Sequence, residues 1–274
     1  MTTSPSPTAN GAEQPPPRRR RVMRRVRVAR VERLTPRMVR VTFTGDDLGA
    51  FAWNGPAAHI KLAFPEEGQT ELPPPQPDGP PPTRMRTYTP RHFDPAGPEL
   101  AVEFVLHGDG PASNWAAQAR AGQTLLLAGP GPNYQIDPEA DWFLLAGDDA
   151  ALPALETILG ALPAGARVRA VLEVADAQEE RPFATPAQLD VTWLHRGAHP
   201  AQADMALEAA VRAMQLPAGN GRIYVGCEAA AMRRIRRHLL QERGLEPAMM
   251  VTRGYWKLGA TNYTDHDYGT DNDR

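Results

Sequence analysis

Near Pro138 the pattern of this chain changes, and the change divides it between two kinds of fold. From Val22 to about Asp137, apolar and polar residues alternate in short runs closed by Gly, Pro or Asp. The runs are Val26–Val31, Met38–Phe43, His59–Phe64 ending at Pro65, Arg86–Thr89, Leu100–Leu106 and Thr124–Leu127, with a short helical pattern over Ser113–Ala119. Many short strands separated by turn residues predict an antiparallel barrel. After Asp141, apolar strand patterns at Trp142–Ala146, Arg167–Val174, Val191–His195, Arg222–Val225 and Met249–Thr252 alternate with helical ones. The helices are predicted over Leu152–Leu162, Ala203–Met214 and Ala229–Arg243, the last stopped by Gly244. Strands alternating with helices require crossover connections and a parallel sheet. The expected architecture is therefore an antiparallel β-barrel over 22–137 followed by a doubly wound α/β domain over 138–258.

The flanks carry little apolar material. Residues 1–21 form a Pro/Arg-rich segment that composition marks as disordered, and 259–274 read as a mobile polar tail. Many of the 29 prolines gather in 1–17 and in an insertion at 65–83, where neither stretch can join a sheet. A net charge of -2 gives no bulk attraction to nucleic acid or to a membrane surface. No run of about 18 apolar residues is present, so no stable membrane insertion is expected. The N-terminal stretch lacks the apolar centre of a secretory signal, and a cytoplasmic location is expected. Cys227 is the single cysteine and excludes an internal disulfide. The seven histidines are scattered at spacings unlike a metal site, and no G-x-S-x-G hydrolase signature occurs.

Five stretches carry candidate chemistry. Arg86-Thr87-Tyr88-Thr89-Pro90-Arg91 reads R-x-Y-T-x-R, and on a strand Arg86 and Tyr88 share one face. It offers a guanidinium suited to phosphate, a flat ring and a hydroxyl, which is the set a pyrophosphate-bearing heteroaromatic cofactor needs. The same residues also suit an ordinary half-exposed strand. His107-Gly108-Asp109-Gly110-Pro111-Ala112-Ser113 is a glycine turn opening a helix, either an anion cradle or a plain capped turn. Ala146-Gly147-Asp148-Asp149-Ala150 ends the first parallel strand, where ligands of open α/β sheets sit, although no G-x-G-x-x-G accompanies it. Gly226-Cys227-Glu228 ends a later strand, with Cys227 a nicotinamide-pocket wall or a small buried apolar residue. Gly254-Tyr255-Trp256-Lys257 follows the last expected strand as a cofactor cover or an aromatic anchor.

In this order the motifs resemble those of the siderophore-interacting protein family, FAD-dependent ferric-siderophore reductases within the wider ferredoxin–NADP reductase-like group. The resemblance rests on His59-Ile60-Lys61-Leu62, the Arg86–Arg91 motif, His107–Ala112, Ala146-Gly147-Asp148 with Leu152-Pro153-Ala154, Glu173–Asp176, Val191–Arg196 and Gly254-Tyr255-Trp256, and it spans roughly 22–258. It implies a barrel that holds FAD and an α/β domain that receives NAD(P)H. By position, Arg86 faces the FAD pyrophosphate, Tyr88 packs on the flavin and Thr89 hydrogen-bonds near its N5, with Thr87 and Arg91 completing the motif. His107, Gly110, Ala112 and Ser113 hold the phosphate and adenine side; Gly147, Asp148 and Asp149 border the nicotinamide; Trp256 lies at the flavin opening. Thr89, Asp148 and Asp149 are the expected catalytic residues, and Lys61, Arg253 and Lys257 the expected basic lining for an anionic ferric siderophore. Three features depart from the family pattern: Asp149-Ala150 stands where Glu-Thr is usual, Cys227 stands where the family's small residue is often not cysteine, and the 65–83 insertion is longer. Arg233, Arg234, Arg236, Arg237 and His238 give one helix a basic side that leans toward NADPH. The expected activity is ferric-siderophore reduction without an obligate protein partner. The competing activities are a flavoprotein reductase for a ferredoxin or quinone, and a non-catalytic siderophore carrier.

Overall fold

The computed structural model describes residues 22–66, 69, 72, 82, 84–108, 110–199, 201, 205–261, 263 and 267–270. The 1–21 segment and most of the 65–83 insertion lie outside these residues. Two sheets organise the chain. The first is antiparallel, with strands in the order β4-β3-β7-β1-β2-β6-β5. Its strands are β1 (Met23–Thr35), β2 (Met38–Thr44), β3 (Ile60–Ala63), β4 (Met85–Tyr88), β5 (Pro90–Asp94), β6 (Glu99–Val105) and β7 (Thr124–Ala128). Helix α1 (Pro111–Ala117) lies between β6 and β7. Strands β4 and β5 stand at opposite ends of this order, yet only Thr89 separates them in the chain. The sheet must therefore roll until its two edges meet at that residue. Pro90 makes the corner possible, since it gives up a ladder N–H and fixes φ. The rolled interior holds Phe43, Leu62, Phe64, Leu100, Phe104 and Leu127, all essentially inaccessible.

The second sheet is wholly parallel, in the order β10-β9-β8-β11-β12. It comprises β8 (Trp142–Asp148), β9 (Arg167–Val174), β10 (Gln188–His195), β11 (Gly221–Glu228) and β12 (Met250–Trp256). Every residue of β8 is buried, as a central parallel strand covered on both faces requires. Phe143 and Leu145 face a core with α2 (Leu152–Ala161), while Trp142, Leu144 and Ala146 face α3 (Ala206–Ala213) and α4 (Ala229–Arg237). Successive connections leave β8 toward β9 on one side and arrive at β11 on the other. The reversal places a crevice at the carboxyl ends of β8 and β11.

The two sheets share a core. Met38 and Tyr134, from the barrel side, are buried among Phe143, Leu155 and Tyr224 of the α/β side. Polar contacts cross the same seam. The Ala57 N–H donates to Thr157 Oγ1 at 2.8 Å, and the Arg37 N–H to Glu179 Oε1 at 2.9 Å. Arg91 and Arg181 join Glu103 of β6 to Glu156 of α2.

Several boundaries differ from the sequence expectation. The helix expected over 229–243 is α-helical only to Arg237 and continues as a wider π turn over His238–Glu242. The last strand runs to Trp256, so Gly254-Tyr255-Trp256 is strand rather than a segment after it. The polar tail is held down where it is described. Asp267 is buried, accepts from Arg233 Nη2 at 2.8 Å, and its carbonyl accepts from the Gly254 N–H at 2.9 Å. The tail thus covers the outer edge of β12, which would otherwise expose unpaired backbone groups. Among the described residues no helix is long and apolar enough to cross a membrane.

Candidate functional site

On the barrel side the site is built from β4 and its corner. Tyr88 stands opposite Ile60 and Arg86 opposite Leu62, whereas Thr87 stands opposite Lys61. Alternation therefore sends Tyr88 inward. Its ring lies 4.5 Å from Phe104 and 6.3 Å from Phe64, beside Trp115 of α1. Burial pushes the Tyr88 phenol well up, so the ring is neutral. Burial also lowers the pKa of the Arg86 guanidinium, whose Nη1 donates to the Met85 carbonyl at 2.9 Å. A cation partly removed from water gains most from an anion placed against it. Thr87 is on the exposed face, where Lys61 Nζ donates to its hydroxyl at 3.3 Å. Arg91 turns to the seam instead, with Nε 2.7 Å from Glu156 Oε2.

The glycine turn closes on itself. The His107 N–H donates to Ser113 Oγ at 3.0 Å, and Ala112 and Ser113 are buried against the barrel while His107 stays exposed. Gly110, at φ +100, takes a conformation that side-chain-bearing residues rarely adopt.

On the α/β side the carboxyl edge collects acids. Asp148 is inaccessible and accepts three N–H donors: Ala150 N at 3.0 Å, Glu228 N at 3.1 Å and Trp256 Nε1 at 2.8 Å. Its carboxyl is pushed up to about 7, foremost by burial and then by the neighbouring Asp149 carboxylate, against the pull of the Trp256 N–H. Asp149 is held by Arg196 Nη2 at 2.6 Å, and Glu173 and Glu228 are buried beside them. Gly147 and Gly226 permit this crowding. A Cβ on Gly147 would stand 2.7 Å from the Gly226 carbonyl, and one on Gly226 would stand 2.6 Å from the Tyr255 ring. The Ala150 contact is made by backbone, so the departure from threonine leaves it intact.

Tyr255 joins the two sides. Its phenol neighbours Thr89 at the barrel corner, and its oxygen lies 3.0 Å from that of Tyr224. Tyr224 lies beside Arg253. These two residues, with Ala57, Asn133, Tyr134, Gln135 and Val251, line a seam pocket of about 210 Å³. The sequence offers Tyr255 only as part of an aromatic cover or anchor, and Glu228 and Arg196 only as members of their motifs; pairing with β11 makes the segment a strand and puts Tyr255 on the same face as Arg253.

The remaining expected residues are dispersed. Lys61 stands on the barrel wall, Arg253 lies 4.4 Å from the centre of the Tyr268 ring, and Lys257 is exposed beyond β12. The basic helix is mostly engaged within the molecule. Arg233 pairs with Asp267, Arg234 Nε with Glu208 Oε2 at 2.5 Å, and Arg236 reaches Thr252 Oγ1 at 3.3 Å. Its composition alone therefore gives no basis for an NADPH preference. Cys227 is buried on the α4 face, and its thiol is pushed well up by burial and by the Asp148 and Glu228 carboxylates. It is a core residue.

The donor set fits FAD: one partly dried guanidinium, a glycine turn opening a helix, a neutral aromatic ring and a corner hydroxyl. Comparison with known proteins agrees. Residues 27–134 match the siderophore-interacting FAD-binding domain, and 140–259 match the siderophore-interacting protein family. The chain is 33% identical to the ferric vibriobactin reductase ViuB of Vibrio cholerae, over 84% of its own length and 88% of that protein. It is 30% identical to an NADPH-dependent ferric-chelate reductase of Escherichia coli, over 85% and 92%. A siderophore utilization protein from T. fusca superposes with a TM-score of 0.82 at 37% identity, over 90% and 97% of the two chains.

Proposed function

The chain belongs to the siderophore-interacting protein family, and we propose that it is an NAD(P)H-dependent, FAD-containing reductase of ferric siderophores. One observation carries the reading. The corner hydroxyl of Thr89, on the barrel, meets Tyr255 of the α/β sheet, beside Gly147, Gly226 and Asp148. An electron carrier held by the barrel and a donor held at the sheet's carboxyl edge would therefore be adjacent. When bound, FAD supplies the conversion of a two-electron hydride donor into single electrons.

The chain's own residues do the rest. Arg86 neutralises the pyrophosphate, with Gly110 and Ser113 shaping the turn beside it. Tyr88 fixes the flat ring, and Thr89 presents its hydroxyl to the flavin edge. Asp148, oriented by Trp256 and the Glu228 N–H, faces the nicotinamide, where positive charge develops as hydride leaves. Lys61, Arg253 and Lys257 attract an anionic chelate. Hard oxygen donors hold Fe(II) far less well than Fe(III), so reduction loosens the metal without a protein ligand. We place the reaction in the cytoplasm, where reduced nicotinamide is supplied, with no obligate protein partner.

The test is an anaerobic titration. The yellow holoprotein is expected to bleach with NADPH or NADH and to regain its colour on ferric siderophore, with two Fe(II) formed per flavin. A colourless protein that binds ferric siderophore would indicate a carrier. Recolouring by a ferredoxin or quinone but not by the chelate would indicate the other reductase class.

Asp148 gives a pH signature. Its folded pKa is raised, so its stabilising contribution is full below the unfolded aspartate value near 4 and is lost as pH rises through about 7. The same ionisation supplies the negative charge that favours hydride departure. Bleaching is therefore expected to speed up as pH rises through about 7, while the melting temperature falls between about pH 4 and 7 and levels off above. Asp148→Asn should flatten both curves; stopped-flow absorbance and thermal melts across this range check it.

A further inference from the structure

A hydride reaching the flavin brings its own hydrogen, but electrons leave for ferric iron one at a time and bare. For each pair of ferric ions reduced, one N–H bond of the cofactor breaks, two electrons go to two metal ions, and one proton must reach solvent. The corner of the barrel is a poor place to release it. Thr89 is buried, and Tyr88, Phe104 and Phe64 pack on the inner side of the strand that leads to it.

One continuous set of hydroxyls leaves that corner. Thr89 neighbours Tyr255, the phenolic oxygens of Tyr255 and Tyr224 lie 3.0 Å apart, and Tyr224 lines the seam pocket beside Arg253. The pocket, at about 210 Å³, is large enough for several waters. The exposed Gln135, whose amide donates to Asn133 at 2.7 Å, stands on its wall and gives it a polar, solvent-reaching rim. Burial pushes both phenols up, so each keeps its hydrogen and can accept a proton on one side while donating on the other.

We propose that Thr89, Tyr255 and Tyr224 form a hydroxyl relay that carries the proton released during iron reduction to water in the seam pocket. Thr89 Oγ takes the proton and passes its own to Tyr255 Oη; Tyr255 passes one to Tyr224 Oη, and Tyr224 gives one to a pocket water. The relay rests on the placement of the flavin edge at Thr89 proposed above.

The experiment uses full-length holoprotein with Tyr255→Phe and, separately, Tyr224→Phe, each deleting one oxygen from the chain. FAD affinity, measured by fluorescence titration of the apoprotein, is expected to match wild type, as is the rate of bleaching by NADPH. Recolouring by ferric siderophore is expected to slow about tenfold in each variant. The wild-type solvent deuterium effect on recolouring should change, and a small diffusible weak acid such as formic acid should restore part of the rate. Recolouring at the wild-type rate with an unaltered isotope effect in both variants would overturn the relay. Equal slowing of bleaching and recolouring would overturn it too, since that marks a merely structural role. Wild-type protein that takes up no FAD would sink the flavin placement itself, and the relay with it.

Discussion

Arg86→Ala is expected to weaken FAD binding by roughly two orders of magnitude, from the loss of about 3 kcal/mol in a partly desolvated, charge-assisted contact. The guanidinium sits on β4 opposite Leu62, and burial already lowers its pKa. The guanidinium is thus partly withdrawn from water, and a pyrophosphate placed against it would offset that cost. Arg86→Lys is expected to recover only part of the affinity, because an ammonium cannot match the planar two-pronged geometry. Fluorescence titration of apoprotein with FAD, beside circular dichroism to show an unchanged fold, measures the effect. Unchanged affinity in Arg86→Ala would place the phosphates elsewhere.

Glu103→Ala is expected to cost about 3–5 kcal/mol of stability, the usual result of removing one partner from a buried ionic cluster. The Glu103 side chain is inaccessible and accepts from Arg40 Nη2 and Arg181 Nη2, each at 2.7 Å, with Arg91 Nε at 3.9 Å. Arg91 and Arg181 also hold Glu156, whose carboxyl burial pushes up. Deleting Glu103 leaves Arg91 and Arg181 sharing Glu156, and Arg40 with only its 3.6 Å contact to Glu32. A chain of this size should melt roughly 10 °C lower, and calorimetry would measure it. Because the cluster ties β6 to α2, proteolysis between Ala128 and Trp142 should accelerate as well. A melting temperature within a degree or two of wild type would mean that the cluster adds specificity of docking rather than stability.

The two fold classes are legible because each follows from a local period. Alternation over Met38–Phe43 buries one face of β2, and the unbroken apolar run Trp142–Ala146 can only be a strand covered on both faces. The ends of elements are less legible, since tertiary contacts set them. Nothing in Gly254-Tyr255-Trp256 reads as strand until Cys227 and Glu228 are seen pairing with it. The site divides in the same way. Arg86, Tyr88 and Thr89 announce themselves by residue type, but the partners that give them meaning come from far along the chain. Tyr255 meets Thr89 across 165 intervening positions, and Arg91 is taken by Glu156 of another element. The arginines of α4 mislead for the same reason, because their counter-ions lie on α3 and in the C-terminal segment.

Cys227 has a consequence for the environment this protein works in. Fe(II) released near peroxide generates hydroxyl radicals, and a nearby thiolate is among the first groups they and peroxide consume. Here the one thiol is sealed behind α4 and kept in its unreactive, hydrogen-bearing form. Under the proposed activity, repeated release of iron would neither crosslink the molecule to its copies through a thiol nor oxidise that thiol to sulfonate.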